Sequence, residues 1–285
     1  MEIIRFITSP LETNTYLVVN GNRGFVVDPG SDGKNIAKRA VELGVKIEAI
    51  LLTHGHFDHI GGVCELQRAV IDCIEAQNET ICNDNKTINK EENGKSVDDT
   101  KSNAEEYEKS VDDIKRNIEN IKKNCDEIDD NAINEKENVK CLDNANFCNC
   151  PIIIMHKGDV DKISSYKSLA FSVGFKVEKF VPDILLVGGE TLNIAGLSVE
   201  VIHTPGHSAG GVCYVVQNNI FVGDTLFKLS YGRTDLYDGS FSKLKNAVVN
   251  KLFNLKNDYT LYTGHGEPTT LAYEKINNPI LFEFS

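Results

Sequence analysis

The run His54-Gly55-His56-Phe57-Asp58-His59 limits this chain more than anything else in it. It reads H-x-H-x-D-H and follows the apolar stretch Ile47 to Leu52. Three imidazoles and a carboxylate packed so closely cannot share a buried face without a partner, and a metal ion is the natural one. Neutral imidazole with carboxylate suits zinc, iron or manganese. A solvated turn rich in histidine is the bland alternative. It is weakened by scarcity, because the 285 residues hold only seven histidines.

Around this stretch the pattern is that of a mixed α/β chain. Ile3 to Thr8, Thr15 to Val19 and Gly24 to Val27 alternate as strands, with turns at Asn20-Gly21 and Asp28-Pro29-Gly30. Ser31 to Leu43 reads as a helix ended by Gly44, and Ile47 to Leu52 as a buried strand. The metal stretch falls on the loop leaving that strand. Gly61-Gly62 opens a second helix carrying Val63, Leu66 and Val70. After Pro151 the pattern resumes. Strands are expected at Ile152 to Met155, Thr191 to Ile194, Ser198 to Ile202, Val212 to Val216, Ile220 to Val222 and Tyr259 to Tyr262. Helices are expected at Asp159 to Ala170 and Phe241 to Phe253.

Between these parts lies a tract of different composition, 76–148, rich in Asn, Lys, Asp and Glu. The chain carries a net charge of −12, and residues 71–150 hold 21 Asp and Glu against 11 Lys and Arg, so the acidity belongs to this tract. Such a segment buries too little surface to offset its chain entropy alone. Val111, Ile114, Ile118, Ile121, Cys125 and Ile128 nevertheless fall three and four apart, a heptad seam that predicts a helix over about 97–130. The same rhythm of strands and helices on both sides marks the tract as an insertion into one domain spanning 1–285. Its seam offers a route to a homo-oligomer or to a partner.

Three more strand-end loops carry the same chemistry: His203-Thr204-Pro205-Gly206-His207, Gly223-Asp224-Thr225 and Gly264-His265-Gly266. A lone histidine at a strand end is usually structural. Three such loops in a chain that already holds a metal motif point to ligation. Taken in order, H-x-H-x-D-H, T-P-G-H, G-D-T-L-F and G-H-G resemble the signature of the metallo-β-lactamase superfamily. Pro10 to Val18, V-V-D-P-G at Val26 to Gly30, and G-H-G-E-P-T-T at Gly264 to Thr270 are similar to its glyoxalase II-like branch of short hydrolases.

The resemblance implies an α+β fold, an αββα sandwich with the metals at one edge. It implies two divalent ions, zinc foremost, with iron or manganese as alternatives. His54, His56 and His207 would hold one ion; Asp58, His59 and His265 would hold the other; Asp224 would bridge them. It also implies the chemistry: two ions lower the pKa of a shared water and polarise a carbonyl. A metal-bound hydroxide would then cleave S-lactoylglutathione or a related small-molecule glutathione thioester, with Asp58 also orienting the attacking water. Arg233, in Gly232-Arg233-Thr234-Asp235, is the candidate for a substrate carboxylate, with a loop-fixing pair to Asp235 as the plain reading. Two variants share the ligands. One is a lactonase or ester hydrolase. The other is a persulfide dioxygenase-like oxidoreductase with a single iron on His54, His207 and Asp224. His203 reads as structural or supporting, and His156 matches no ligand motif. An interaction protein with a vestigial site is a third reading, opposed by the presence of all seven ligands.

Bulk properties narrow the setting. No basic footprint suits nucleic acid. No apolar run is long enough to span a membrane. The first residues lack a secretory pattern, and the eight cysteines show no C-x-x-C pair, so a reducing cytoplasm is expected.

Overall fold

A computed structural model describes residues 1–76, 150–165, 168–170 and 174–283. Nearly all of the expected insertion, its helix at 97–130 included, lies outside the described residues.

Two six-stranded sheets are sandwiched between helices. The first sheet runs in chain order: β1 (Glu2–Thr8), β2 (Thr13–Asn20), β3 (Arg23–Val27), β4 (Lys46–Leu51), β5 (Ile152–His156) and β6 (Ile184–Leu186). Helices α1 (Gly33–Glu42), α2 (Phe57–Ile60) and α3 (63–76) belong to this half. The second sheet has the order β14-β13-β10-β9-β8-β7. Its strands are β7 (Thr191–Ile194), β8 (Leu197–His203), β9 (Val212–Val216), β10 (Asn219–Gly223), β13 (Thr260–Thr263) and β14 (Thr269–Thr270). A small hairpin, β11 (Leu226–Phe227) and β12 (Ser230–Tyr231), follows β10; α4 (Phe241–Ala247) and α5 (Leu271–Asn277) cover the outer face.

Alternation along the strands explains the three layers of core. Tyr16, Val18, Phe25, Val27 and Leu51 face inward and meet Val199, Val201, Tyr214 and Phe221 of the other sheet. The opposite side chains, Leu17, Val26, Ile50 and Leu52, pack on Ile36, Ala40, Val63 and Leu66 of α1 and α3. In the second sheet Cys213, Val215, Val222 and Leu261 pack on Leu244, Val248 and Leu271. β4 is buried on both faces and pairs in parallel with β3 and β5, which is why its sequence is a continuous apolar run. The αββα arrangement expected of the sequence is the one found.

The differences are local. No α-helix runs through the described residues of 159–170. A 3₁₀ turn covers Lys157–Lys162, and the described residues beyond it up to Ala170 are bends and 3₁₀ positions. The Asp159 carboxylate is tied to other loops, Ser168 bonds back to the Ser165 carbonyl, and Leu169 sits at φ 68°, so the backbone takes alternatives to a helix. The helix expected at Phe241 to Phe253 widens into a π-turn over Val248–Leu252. Asp58 and His59 lie not on a loop but on the single turn of α2. The chain after Thr270 forms α5, whose N-cap Thr270 hydroxyl accepts from Tyr273 N.

The sheets meet at one edge. Tyr16 Oη donates to the Thr263 carbonyl at 2.7 Å, Tyr214 Oη to the Leu52 carbonyl at 2.8 Å, and Val212 N to the Thr53 carbonyl at 2.8 Å. The C-terminal ends of β4, β8, β10 and β13 open at this edge.

Candidate metal centre

Each strand end delivers one part of the cluster. β4 leads to His54 and His56, and α2 then turns Asp58 and His59 inward. β8 leads to His207 through a turn where Gly206 has φ 139°. A register shift between Phe221 and Gly223, with Gly223 at φ 48°, redirects β10 so that Asp224 enters the site. His265 follows β13. Gly264 has to be glycine, because a Cβ there would lie 2.1 Å from Asp224 Oδ1 and 2.9 Å from His59 Cε1.

All seven residues expected from the sequence come together. His54, His56 and His207 form one group whose ligating atoms lie within 4.8 Å of one another, and Asp58, His59 and His265 form a second. Asp224 stands between the groups. Its Oδ1 lies 3.4 Å from His59 Nε2, and its Oδ2 lies 3.5 Å from His207 Nε2 and 3.6 Å from His265 Nε2. His56 Nδ1 faces His207 Nε2 at 2.9 Å.

Hydrogen bonds behind the rings decide which nitrogens are available. His59 Nδ1 donates to Asp28 Oδ2 at 3.0 Å, His207 Nδ1 to the Arg233 carbonyl at 2.8 Å, and His265 Nδ1 to the Leu11 carbonyl at 3.0 Å. Thr53 Oγ1 gives its proton to Asp28 Oδ2 at 2.6 Å, so His54 Nδ1 donates to it at 3.1 Å. In each case Nδ1 is engaged behind the ring and Nε2 is the nitrogen turned toward the cluster, the arrangement typical of metal-binding histidines. His54 Nε2, His59 Nε2 and Asp224 Oδ1 are buried without any hydrogen-bond partner. Buried polar atoms are rarely left so, and three in one cluster mark a place for a cation.

Electrostatics agree. Burial, reinforced by the imidazoles of His59, His56 and His207, pushes His54 well below the ordinary histidine value. Burial and the facing His207 push His56 down to about 3. His59 behaves oppositely: burial opposes its charge, yet Asp58, Asp224 and Asp28 outweigh that and raise it. Asp58 and Asp224 are held low against the effect of burial, chiefly by His59. The carboxylates are thus ionised; they raise His59 and, through Asp58 and Asp224, His265, while His54 and His56 stay neutral. His and Asp groups so arranged fit a pair of divalent ions.

Two supporting residues, Asp28 and Thr13, were not legible as site residues. Asp28, within V-V-D-P-G, accepts from Thr53 N at 2.7 Å and from His59 Nδ1. Thr13 Oγ1 donates to Asp58 Oδ2 at 2.9 Å. Arg233 places its guanidinium on Asp235 in a two-pronged pair at 2.7 and 2.8 Å, while its carbonyl orients His207. His156 and His203 stack on each other at 4.2 Å, outside the cluster, and His203 Nε2 donates to the Ala209 carbonyl.

The model of the metallo-β-lactamase superfamily matches residues 8–121 and 146–265. The chain belongs to that superfamily. It is 26% identical to "Probable metallo-hydrolase YqgX" of Bacillus subtilis, over 99% of this chain and 98% of that protein. It is 24% identical to "Hydroxyacylglutathione hydrolase GloC" of Haemophilus influenzae, over 90% of this chain and 86% of the relative. Among solved structures, the BLEG-1 B3 metallo-β-lactamase superposes with a TM-score of 0.65 at 23% identity, covering 99% of this chain and all of the other, a likeness of fold. No helix among the described residues is long and apolar enough to cross a membrane.

Proposed function

We propose that the protein is a thioesterase of the glyoxalase II type, cleaving S-lactoylglutathione or a related glutathione thioester with two divalent ions, zinc foremost. His54, His56 and His207 would hold one ion, and Asp58, His59 and His265 the other, with Asp224 shared. A bound pair supplies a water acidified enough to attack near neutral pH and Lewis-acid polarisation of the carbonyl. Asp58, kept ionised and fixed by Thr13, would orient that water. The thiolate of a thioester is a good leaving group, so no strong general acid is demanded. Cys213 is excluded as a nucleophile, since it is fully buried and its thiol is pushed up to about 11 by that burial.

The observation that carries the two-ion reading is the second half-site. A mononuclear iron dioxygenase would need only His54, His207 and Asp224. Here Asp58, His59 and His265 are gathered as tightly, and His59 Nε2 is buried and unpartnered. The likeness to a hydroxyacylglutathione hydrolase supports the thioester as substrate. Arg233 is proposed for a substrate carboxylate. Its pair with Asp235 is mostly solvent-exposed, at 63% and 69%, and exposed pairs are weak enough to be exchanged.

The test is elemental analysis of the purified protein alongside S-lactoylglutathione hydrolysis. About two ions per chain and turnover abolished by His54→Ala are the expected results. One iron per chain, no thioester turnover and oxygen uptake with glutathione persulfide would install the dioxygenase in its place.

A further inference from the structure

Asp159 is fully buried, belongs to no ligand motif and has no part in the chemistry above. Its Oδ2 accepts from Gly55 N at 2.8 Å and from Ser208 Oγ at 2.7 Å. Its Oδ1 accepts from Gly210 N at 2.6 Å and from Lys162 Nζ at 3.0 Å. Gly55 lies between His54 and His56, and Ser208 follows His207, so one carboxylate joins the two loops that carry the three-histidine group. Lys162, 1% exposed, reaches on to Asp238 Oδ2 at 2.6 Å, and that oxygen also accepts from Ala209 N at 2.8 Å. The fit is close on both sides. A Cβ on Gly55 would meet Lys162 Cδ at 2.9 Å, and one on Gly210 would meet Asp159 Cγ at 2.7 Å.

A buried ion pair of this kind is a poor device for stability alone, because its desolvation offsets much of its attraction. What a carboxylate does here that an apolar side chain would not is hold two backbone N–H groups and a hydroxyl in register across two loops. The other half-site hangs on different partners: Asp28 behind His59, Thr13 behind Asp58 and the Leu11 carbonyl behind His265.

We propose that Asp159, with Lys162 as its counter-ion, is a positioning residue that sets the spacing of His54 and His56 from His207. It thereby fixes the metal affinity of that half-site and leaves the Asp58–His59–His265 half almost untouched. The proposal rests on the two-ion reading given above.

The test uses the full chain, stripped of metal and titrated with cobalt(II), read by visible absorption and by bound metal per chain. The native protein should take two equivalents. In Asp159→Asn the amide presents N–H donors to groups that are themselves donors. One equivalent should then bind as before, and the other about 10- to 100-fold more weakly, in line with losses of partners behind metal ligands. Ser208→Ala removes one bond while keeping the carboxylate, and should weaken the same step by less. Thr13→Ala should weaken the opposite step. Native affinities at both steps in Asp159→Asn and Ser208→Ala, or equal weakening of both steps, overturn the proposal. Should Asp159→Asn fail to fold, Ser208→Ala against Thr13→Ala decides it alone. A native protein that takes up fewer than two ions defeats the two-ion reading, and this proposal with it.

Discussion

The candidate ligands of this cluster are oriented by residues outside the expected set of seven, and Asp28 shows how. It sits in the left-handed region at φ 51°, which aspartate tolerates better than most residues. From there its carboxylate takes Thr53 N, Thr53 Oγ1 and His59 Nδ1. Asp28→Asn keeps the shape but removes the charge, so the bond that fixes the His59 ring weakens. The expected result is about a 10- to 100-fold loss of affinity for the ion proposed for Asp58, His59 and His265, measured by competition with a chelator. Unchanged affinity would show that ring orientation is fixed by packing alone. All seven candidate ligands were legible because they fall within four short motifs. Asp28 was legible as a turn and as part of the V-V-D-P-G run but not as a partner of His59, and Asp159 only as part of a helix that does not form. Their roles are written in bonds to residues 25 to 104 positions away, which no local pattern records.

At the level of elements, burial patterns gave the strands and helices reliably where packing and propensity agree. β4 is the example: an apolar run of the right length, buried on both faces. The expected helix at Asp159 to Ala170 had the periodicity but lost to side-chain bonding, since Asp159 serves the ligand loops instead of a helix turn. The short strands β6, β11, β12 and β14 were missed, each too brief to show alternation. The junction of α4 with the T-P-G-H turn ties an element directly to the site. Gly206 has φ 139°, and a Cβ there would lie 2.3 Å from Leu244 N. Gly206→Ala therefore forces both backbone strain and a clash with α4. Strain of this kind costs about 1–3 kcal/mol by itself. A lowered urea midpoint is expected, together with weakened metal binding at the three-histidine half, because His207 is the next residue. A variant with native midpoint and native metal content would mean that the turn relaxes without moving His207.

At the scale of the whole molecule, the sheets meet along an edge crowded with buried polar groups. Imidazole lone pairs and ionised carboxylates from four strand ends crowd there, and three of their atoms have no partner. The chain encloses this cluster between two cores, so the unfavourable contacts have to be borne by the fold when no cation is present. Binding that occurs only in the folded state stabilises by about 2.7 kcal/mol when free ligand is a hundred times its dissociation constant. For a chain of this size each kcal/mol moves the melting temperature by roughly 2–4 °C. Stripping the protein with a chelator should thus lower its melting temperature by about 5–10 °C, and zinc added back should restore it, as read by scanning calorimetry. The shift should follow the logarithm of free zinc. In His54→Ala part of it should disappear, because only one half-site remains complete. A melting temperature indifferent to chelation and to zinc would mean that the partnerless nitrogens bind no ion, and the enzyme reading would go with them.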